Sequence, residues 1–307
     1  MNKLFISLLT MCLADAVFAQ ARGRDHDHAE IHCSRCTKWN VAHEPFNVVA
    51  NTWYVGTAEL SSVLVTGPDG HILIDGALPQ SVPQIEANIK ALGFRLKDIK
   101  VIVSSHPHFD HAGGIAQLAR NSGASVMASA AGASVLRAGM IDQGDPQYER
   151  SGNTQFPRVT KVREIADNEV IAVGRLKLMA HMTPGHTPGG ASYTWQSCQR
   201  ERCVDVAYVD SLTPVSADGF HYSGDARTPN IVPMFEASIA KVRALKCDVV
   251  LSAHPDFTDT FERLAARTEA RNSFIDGNGC KAYAADASAR LLKRIAVEWR
   301  EKASVAK

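Results

Sequence analysis

Three aliphatic residues, Val101-Ile102-Val103, run straight into Ser104-Ser105-His106-Pro107-His108-Phe109-Asp110-His111. Three imidazoles and one carboxylate thus crowd the mouth of a buried strand. Polar groups packed together without partners cost stability, and a metal removes that cost. Neutral imidazole and carboxylate are the ligands zinc takes when thiolates are absent. Alternate residues of an extended turn point the same way, which pairs His106 with His108 and leaves Asp110 and His111 for a second ion. Four groups from one turn cannot complete two coordination spheres. Further ligands are available in Thr183-Pro184-Gly185-His186-Thr187-Pro188-Gly189-Gly190 and in Ser252-Ala253-His254-Pro255, each placed directly after a strand.

The surrounding pattern is strand-rich. Thr52 to Val55, Ser62 to Thr66 and His71 to Asp75 read as short strands, the last two separated by the turn Gly67-Pro68-Asp69-Gly70. Pro83 to Leu92 has helical spacing and ends at Gly93, and Ile115 to Ala119 is a second helix. Leu176, Leu178 and Ala180 alternate with Lys177 and Met179 into the His186 turn, and Ala191 to Trp195 and Val204 to Val209 follow as strands. Phe235 to Leu245 is helical, Val249-Val250-Leu251 is a buried strand, and Phe261 to Thr268 is helical again. Leu291, Leu292, Ile295 and Trp299 predict the packing face of a closing helix. Two such halves suggest two sheets face to face, with helices outside.

Residues 1–19 read as a signal peptide: Lys3 gives the positive start, Leu4 to Leu13 is too short to span a bilayer, and Val17-Phe18-Ala19 suits cleavage after Ala19. Residues 9–12 make a poor lipobox, so Cys12 is expected to leave with the peptide. Residues 20–45, with His26, His28, His32 and His43 among acids, read as a polar, solvated leader, and residues 46–307 as one domain. A periplasmic destination suits the six remaining cysteines. Proximity pairs Cys198 with Cys203, and elimination pairs Cys247 with Cys280 across about 33 residues, worth roughly 3–4 kcal/mol. Cys33-Ser34-Arg35-Cys36 fits a short-range disulfide or free thiols. With 33 Lys+Arg against 32 Asp+Glu the charge is +1, without the basic surplus of a nucleic-acid binder.

His106-Pro107-His108-Phe109-Asp110-His111, the Thr-Pro-Gly-His-Thr loop of His186 and the late His254 resemble the metallo-β-lactamase superfamily from about residue 50 to the C-terminal helix. The resemblance implies an α/β fold, the αβ/βα four-layer sandwich, with a two-metal site at one sheet edge. It assigns His106, His108 and His186 to one zinc and Asp110, His111 and His254 to the other. Glyoxalase-II-like and lactonase-like members carry a metal-bridging Asp after the fifth main strand. This chain reads Val206-Ala207-Tyr208-Val209-Asp210-Ser211-Leu212-Thr213. With Asp110, His111 and His254 at the second site and no cysteine nearby, it is similar to subclass B3 β-lactamases, with Ser211 in the non-ligating position. Asn51-Thr52-Trp53-Tyr54-Val55-Gly56, Ser211 to Ser216 and the Cys198–Cys203 insert strengthen that likeness. Some B3 relatives carry a cysteine after the Tyr-Val-Gly strand; here Ala58 follows Gly56-Thr57. A one-residue shift would instead turn Asp210 to the metals, and Gly224-Asp225 offers another bridging Asp. His71, His181 and His221 match no motif and read as surface or packing residues.

The resemblance implies a hydrolase with two Zn2+ ions that opens the ring of penicillins, cephalosporins and carbapenems and so confers antibiotic resistance; the signal peptide makes it an exported one, and a monomer is expected. Hydroxide, formed at neutral pH because zinc lowers the pKa of water, attacks the lactam carbonyl. Asp110 orients it and relays its proton, while Ser211 and Thr213 hold the substrate carboxylate. Gln147 reaches over the site, and Asp75, ending a strand, orients the metal-binding turn. The partner is then a small β-lactam, with no nucleic acid and no stable membrane association. Competing readings are another dizinc hydrolase, an acyl-homoserine lactonase or thioesterase, and a secreted metal-binding protein without catalysis.

Overall fold

The computed structural model describes residues 30–151, 154–226 and 228–305. The expected signal peptide, with Cys12, and the first residues of the leader lie outside them. Seven strands form the first sheet in chain order: β1 (Phe46–Val49), β2 (Thr52–Tyr54), β3 (Val63–Gly67), β4 (Gly70–Ile74), β5 (Ile99–Val103), β6 (Ser125–Ser129) and β7 (Val162–Ile165). The second sheet has the order β12-β11-β10-β9-β8, from β8 (Val170–Val173), β9 (Leu176–Met182), β10 (Ala191–Gln199), β11 (Arg202–Val209) and β12 (Val249–Ser252). The helices are α1 (Cys36–Trp39), α2 (Val82–Ala91), α3 (Phe109–Ala112), α4 (Ile115–Ser122), α5 (Ala130–Ala138), α6 (Tyr148–Ser151), α7 (Val232–Ala244), α8 (Thr260–Ala265) and α9 (Gly279–Val305).

Strand alternation builds the layers. Val63, Val65, Ile72, Ile74, Val101 and Val103 face Leu178, Tyr193, Trp195, Val206, Tyr208 and Leu251 between the sheets. Their neighbours Leu64, Leu73 and Ile102 point the opposite way, against Ile85 and Ile89 of α2 and Ile115 and Leu118 of α4. On the far side Ala207, Val209 and Val250 pack against Phe235 and Ile239 of α7 and Ala284 and Leu291 of α9. The result is the αβ/βα four-layer sandwich. Strands β4, β5 and β6 are parallel, as are β11 and β12. Two antiparallel steps set β9 parallel to β11, so the carboxyl ends of β9, β11 and β12 open at one edge. None of the described helices is long and apolar enough to cross a membrane.

Two differences from the sequence expectations have physical causes. Residues 31–43 are not a solvated leader: Ile31 and Cys36 are buried in the helix-side core, and His43 stacks on Phe261 at 4.3 Å. A few apolar anchors fix a polar stretch whose average composition reads as solvated. The core face of α9 runs through Ala284, Ala287, Leu291 and Ile295, while Leu292 and Trp299 are 63% and 66% exposed. Small alanines on the buried side disguised its true orientation. Cys33 and Cys36, left open between a disulfide and free thiols, are joined, as are Cys198–Cys203 and Cys247–Cys280.

Candidate metal centre

The histidine turn begins where β5 ends. His106 precedes a proline, which favours extended backbone, and His108 accepts the first backbone bonds of α3 from His111 and Ala112. Asp75 anchors this turn from the end of β4: Oδ1 accepts the Ser105 backbone N–H (2.7 Å), and Oδ2 accepts the hydroxyls of Ser105 (2.6 Å) and Tyr208 (2.8 Å). Asp75 is buried at a φ of 59°. Burial pushes its carboxyl above the ordinary value, against the pull of His111 and these donors. The two sheets are tied beside the turn, by Ala191 N to Ser105 O (2.7 Å) and the Tyr193 hydroxyl to Ser104 O (2.7 Å).

The side chains converge in two groups: His106 with His108 and His186, and Asp110 with His111 and His254. Within each, one ligand atom per residue lies within 4.8 Å of the others. Outer partners determine which imidazole nitrogen is free. His108 Nε2 donates to Asp145 Oδ2 (3.0 Å), His186 Nδ1 to the Thr213 carbonyl (2.8 Å) and His254 Nδ1 to the Glu59 carbonyl (3.0 Å). His106 Nδ1 stands 2.8 Å from Asp210 Oδ1, and its Nε2 is buried without a partner among the described residues. His111 Nε2, His254 Nε2 and Asp110 Oδ2 are 3.2, 3.3 and 3.6 Å apart. That is the spacing of ligand atoms held about 2.0–2.1 Å from one tetrahedral centre. Three acceptors and an orphaned nitrogen so disposed fit a pair of cations.

Charge supports the same arrangement. Burial, reinforced by neighbouring imidazoles, holds His106 well below its ordinary value. Burial brings His186 down to about 3 and His254 to about 4, leaving neutral, ligating rings at neutral pH. Burial opposes the charge on Asp110, but His111 and His254 outweigh it and keep the carboxylate ionised. Burial likewise opposes the charge on His111, and Asp110 and Asp75 lift it above the ordinary value.

A cleft of about 470 Å³ opens over these groups, bordered by His108, Asp110, His186 and His254. Ser211, Thr213 and Gln147 line it too; Ser211 Oγ is buried without a partner among the described residues, and Gln147 Nε2 is 3.5 Å from His186 Nε2. Asp210 faces away from the cleft, behind His106, with Tyr283 donating to its carbonyl (2.6 Å). Only glycine fits at position 190, where a Cβ would stand 2.4 Å from Asp210 Oδ2. Asp225 is engaged with His221 and Thr228. His71 and His181 are buried, with Gly67 and Thr194 as partners. Two participants escaped the sequence reading. Asp145 orients His108, and its signal was its place two residues before Gln147. Trp39, in the supposed leader, has its ring 5.9 Å from that of His254.

A family model described as the metallo-beta-lactamase superfamily matches residues 60–254, and the chain belongs to that superfamily. Its structural neighbours are subclass B3 metallo-β-lactamases at 36–47% identity. The Rm3 metallo-beta-lactamase is 45% identical, with a TM-score of 0.84 over 87% of this chain and 99% of its own. MEM-A1, a subclass B3 enzyme isolated from a soil metagenome library, is 47% identical, with a TM-score of 0.81 over 86% and 99%. The uncharacterized protein YobT of Bacillus subtilis (strain 168) is 31% identical over 145 residues, 46% of this chain and 59% of that protein. The chain therefore spans less than two thirds of the length of that curated relative.

Proposed function

We propose that this protein is an exported, dizinc β-lactamase that opens penicillins, cephalosporins and carbapenems and so confers resistance to them. The observation that carries the reading is the pair of three-residue clusters at one cleft, in which Asp145, Thr213 and Glu59 occupy the outer nitrogens of His108, His186 and His254 and leave their other ring nitrogens for a metal. His106, His108 and His186 would hold one zinc, and Asp110, His111 and His254 the other. When bound, the pair would supply Lewis-acid chemistry, activating water at neutral pH and polarising a carbonyl.

The chain's own residues do the rest. Asp110, held ionised, orients the attacking water and relays its proton towards the leaving nitrogen. Ser211 and Thr213 hydroxyls bind the substrate carboxylate, and Gln147 holds the substrate over His186. Asp145 and Asp210 keep the rings of His108 and His106 in position from behind, and Asp75 holds the turn that carries them. The direction of Asp210 and the engagement of Asp225 favour a β-lactam over a lactone or thioester, whose enzymes in this superfamily use a metal-bridging Asp. Three disulfides suit an oxidising compartment, in keeping with periplasmic export, and the protein acts as a monomer.

Purified protein assayed side by side on a penicillin, a cephalosporin, a carbapenem, a homoserine lactone and a thioester tests the reading. Turnover of the β-lactams is expected. Rapid hydrolysis of the lactone or thioester with the β-lactams intact would replace it with the corresponding dizinc hydrolase.

A further inference from the structure

Part of the cleft wall comes from far upstream of the metal ligands. Cys33, Ser34, Arg35 and Trp39 border the same cleft as His108, Asp110 and His254. This segment is fastened at both ends and in its middle. Ile31 exchanges two hydrogen bonds with the Gln80 side chain, at 3.2 and 2.7 Å. The Thr57 hydroxyl donates to Trp39 O (2.6 Å), Ala58 N donates to Val41 O (2.9 Å), and the Ser81 hydroxyl donates to Asn40 Oδ1 (2.6 Å). The Cys33–Cys36 disulfide closes a four-residue clip around Arg35.

The charges on this wall are unevenly matched. Glu59, an acid of the same wall, is paired with Lys38 at 2.6 Å. The Arg35 guanidinium has no hydrogen bond or ion pair among the described residues. An exposed guanidinium, fixed by a clip and facing a cleft, can take an anionic group of whatever fills that cleft.

We propose that the clipped segment Cys33–Cys36 is a specificity wall, and that Arg35 selects β-lactams carrying a second anionic group on the acyl side chain. This rests on the β-lactamase reading. Ser211 and Thr213 engage the carboxylate common to all these substrates, so Arg35 acts on the part that varies between them. Being exposed, its contribution is modest and weakens with added salt.

The test compares KM and kcat for benzylpenicillin and for a penicillin with a carboxylate on its acyl chain, using zinc-loaded protein at low and high salt. The quantity read is the KM of the dicarboxylate divided by that of benzylpenicillin. R35A is expected to raise this ratio about 2–5-fold, and R35E to raise it further. R35K restores it towards the original value, and C33S/C36S moves it in the direction of R35A because the clip is lost. The rise shrinks at high salt and falls on KM more than on kcat. An unchanged ratio in R35E would overturn the proposal while leaving the β-lactamase reading intact. Absence of turnover of either penicillin by the unsubstituted protein would overturn both.

Discussion

Replacing Asp210 by Ala removes the one carboxyl that stands behind His106. The group is fully buried, and its Oδ1 is 2.8 Å from His106 Nδ1. Burial pushes its carboxyl well above the ordinary value, and an Asp210 oxygen accepting from Nδ1–H fixes the tautomer that frees Nε2 for the metal. Loss of such an outer partner typically costs 10–100-fold in metal affinity, about 1.4–2.7 kcal/mol. Asp210→Asn keeps an acceptor of the same size at the same place and retains most of the affinity. Chelator-competition titration gives the affinity, and elemental analysis at saturating zinc gives the stoichiometry. Two zinc ions per chain with weakened binding in Asp210→Ala are expected. Stoichiometry falling to one would make Asp210 a ligand, and unchanged affinity would remove its positioning role.

Asp75→Ala strips three hydrogen bonds from a buried network, and a loss of about 2–4 kcal/mol is expected in chemical denaturation. Asp75→Asn is expected to lose less. Replacing both Cys247 and Cys280 by serine opens a loop with a sequence separation of 33, costing about 3–4 kcal/mol by the chain-entropy estimate; unchanged unfolding under denaturant would contradict this. Acid should weaken the metal-free protein. His186 and His254 are depressed to about 3 and about 4 when folded but titrate near 6.5 when unfolded, so the unfolded chain binds more protons between these values. Stability contributed by these rings is therefore full above about pH 6.5 and falls as the pH drops towards 3. Thermal melts across that range check the sign, and a melting temperature rising on acidification would refute it.

The site was largely legible in the sequence because its ligands sit in three short motifs, each placed at a strand end by an aliphatic run or an alternating pattern. The choice between Asp210 and Ser211 was not legible. β11 ends at Val209, so period-two alternation no longer dictates which way the next two residues face. Packing decides it, through the gap at Gly190 and the hydrogen bond from Tyr283. Strand β6, Ser125–Ser129, and helix α5, Ala130–Ala138, passed unseen because small residues dominate both and leave little apolar periodicity. The Trp39 wall was hidden for the opposite reason: a few anchors carry a segment that is polar on average.

Stepwise zinc titration of the apoprotein, with bound metal and carbapenem hydrolysis followed in the same samples, tests the central claim most directly. Turnover abolished by chelator should return as zinc per chain approaches two. Full zinc loading without hydrolysis, or hydrolysis untouched by chelator, would contradict it.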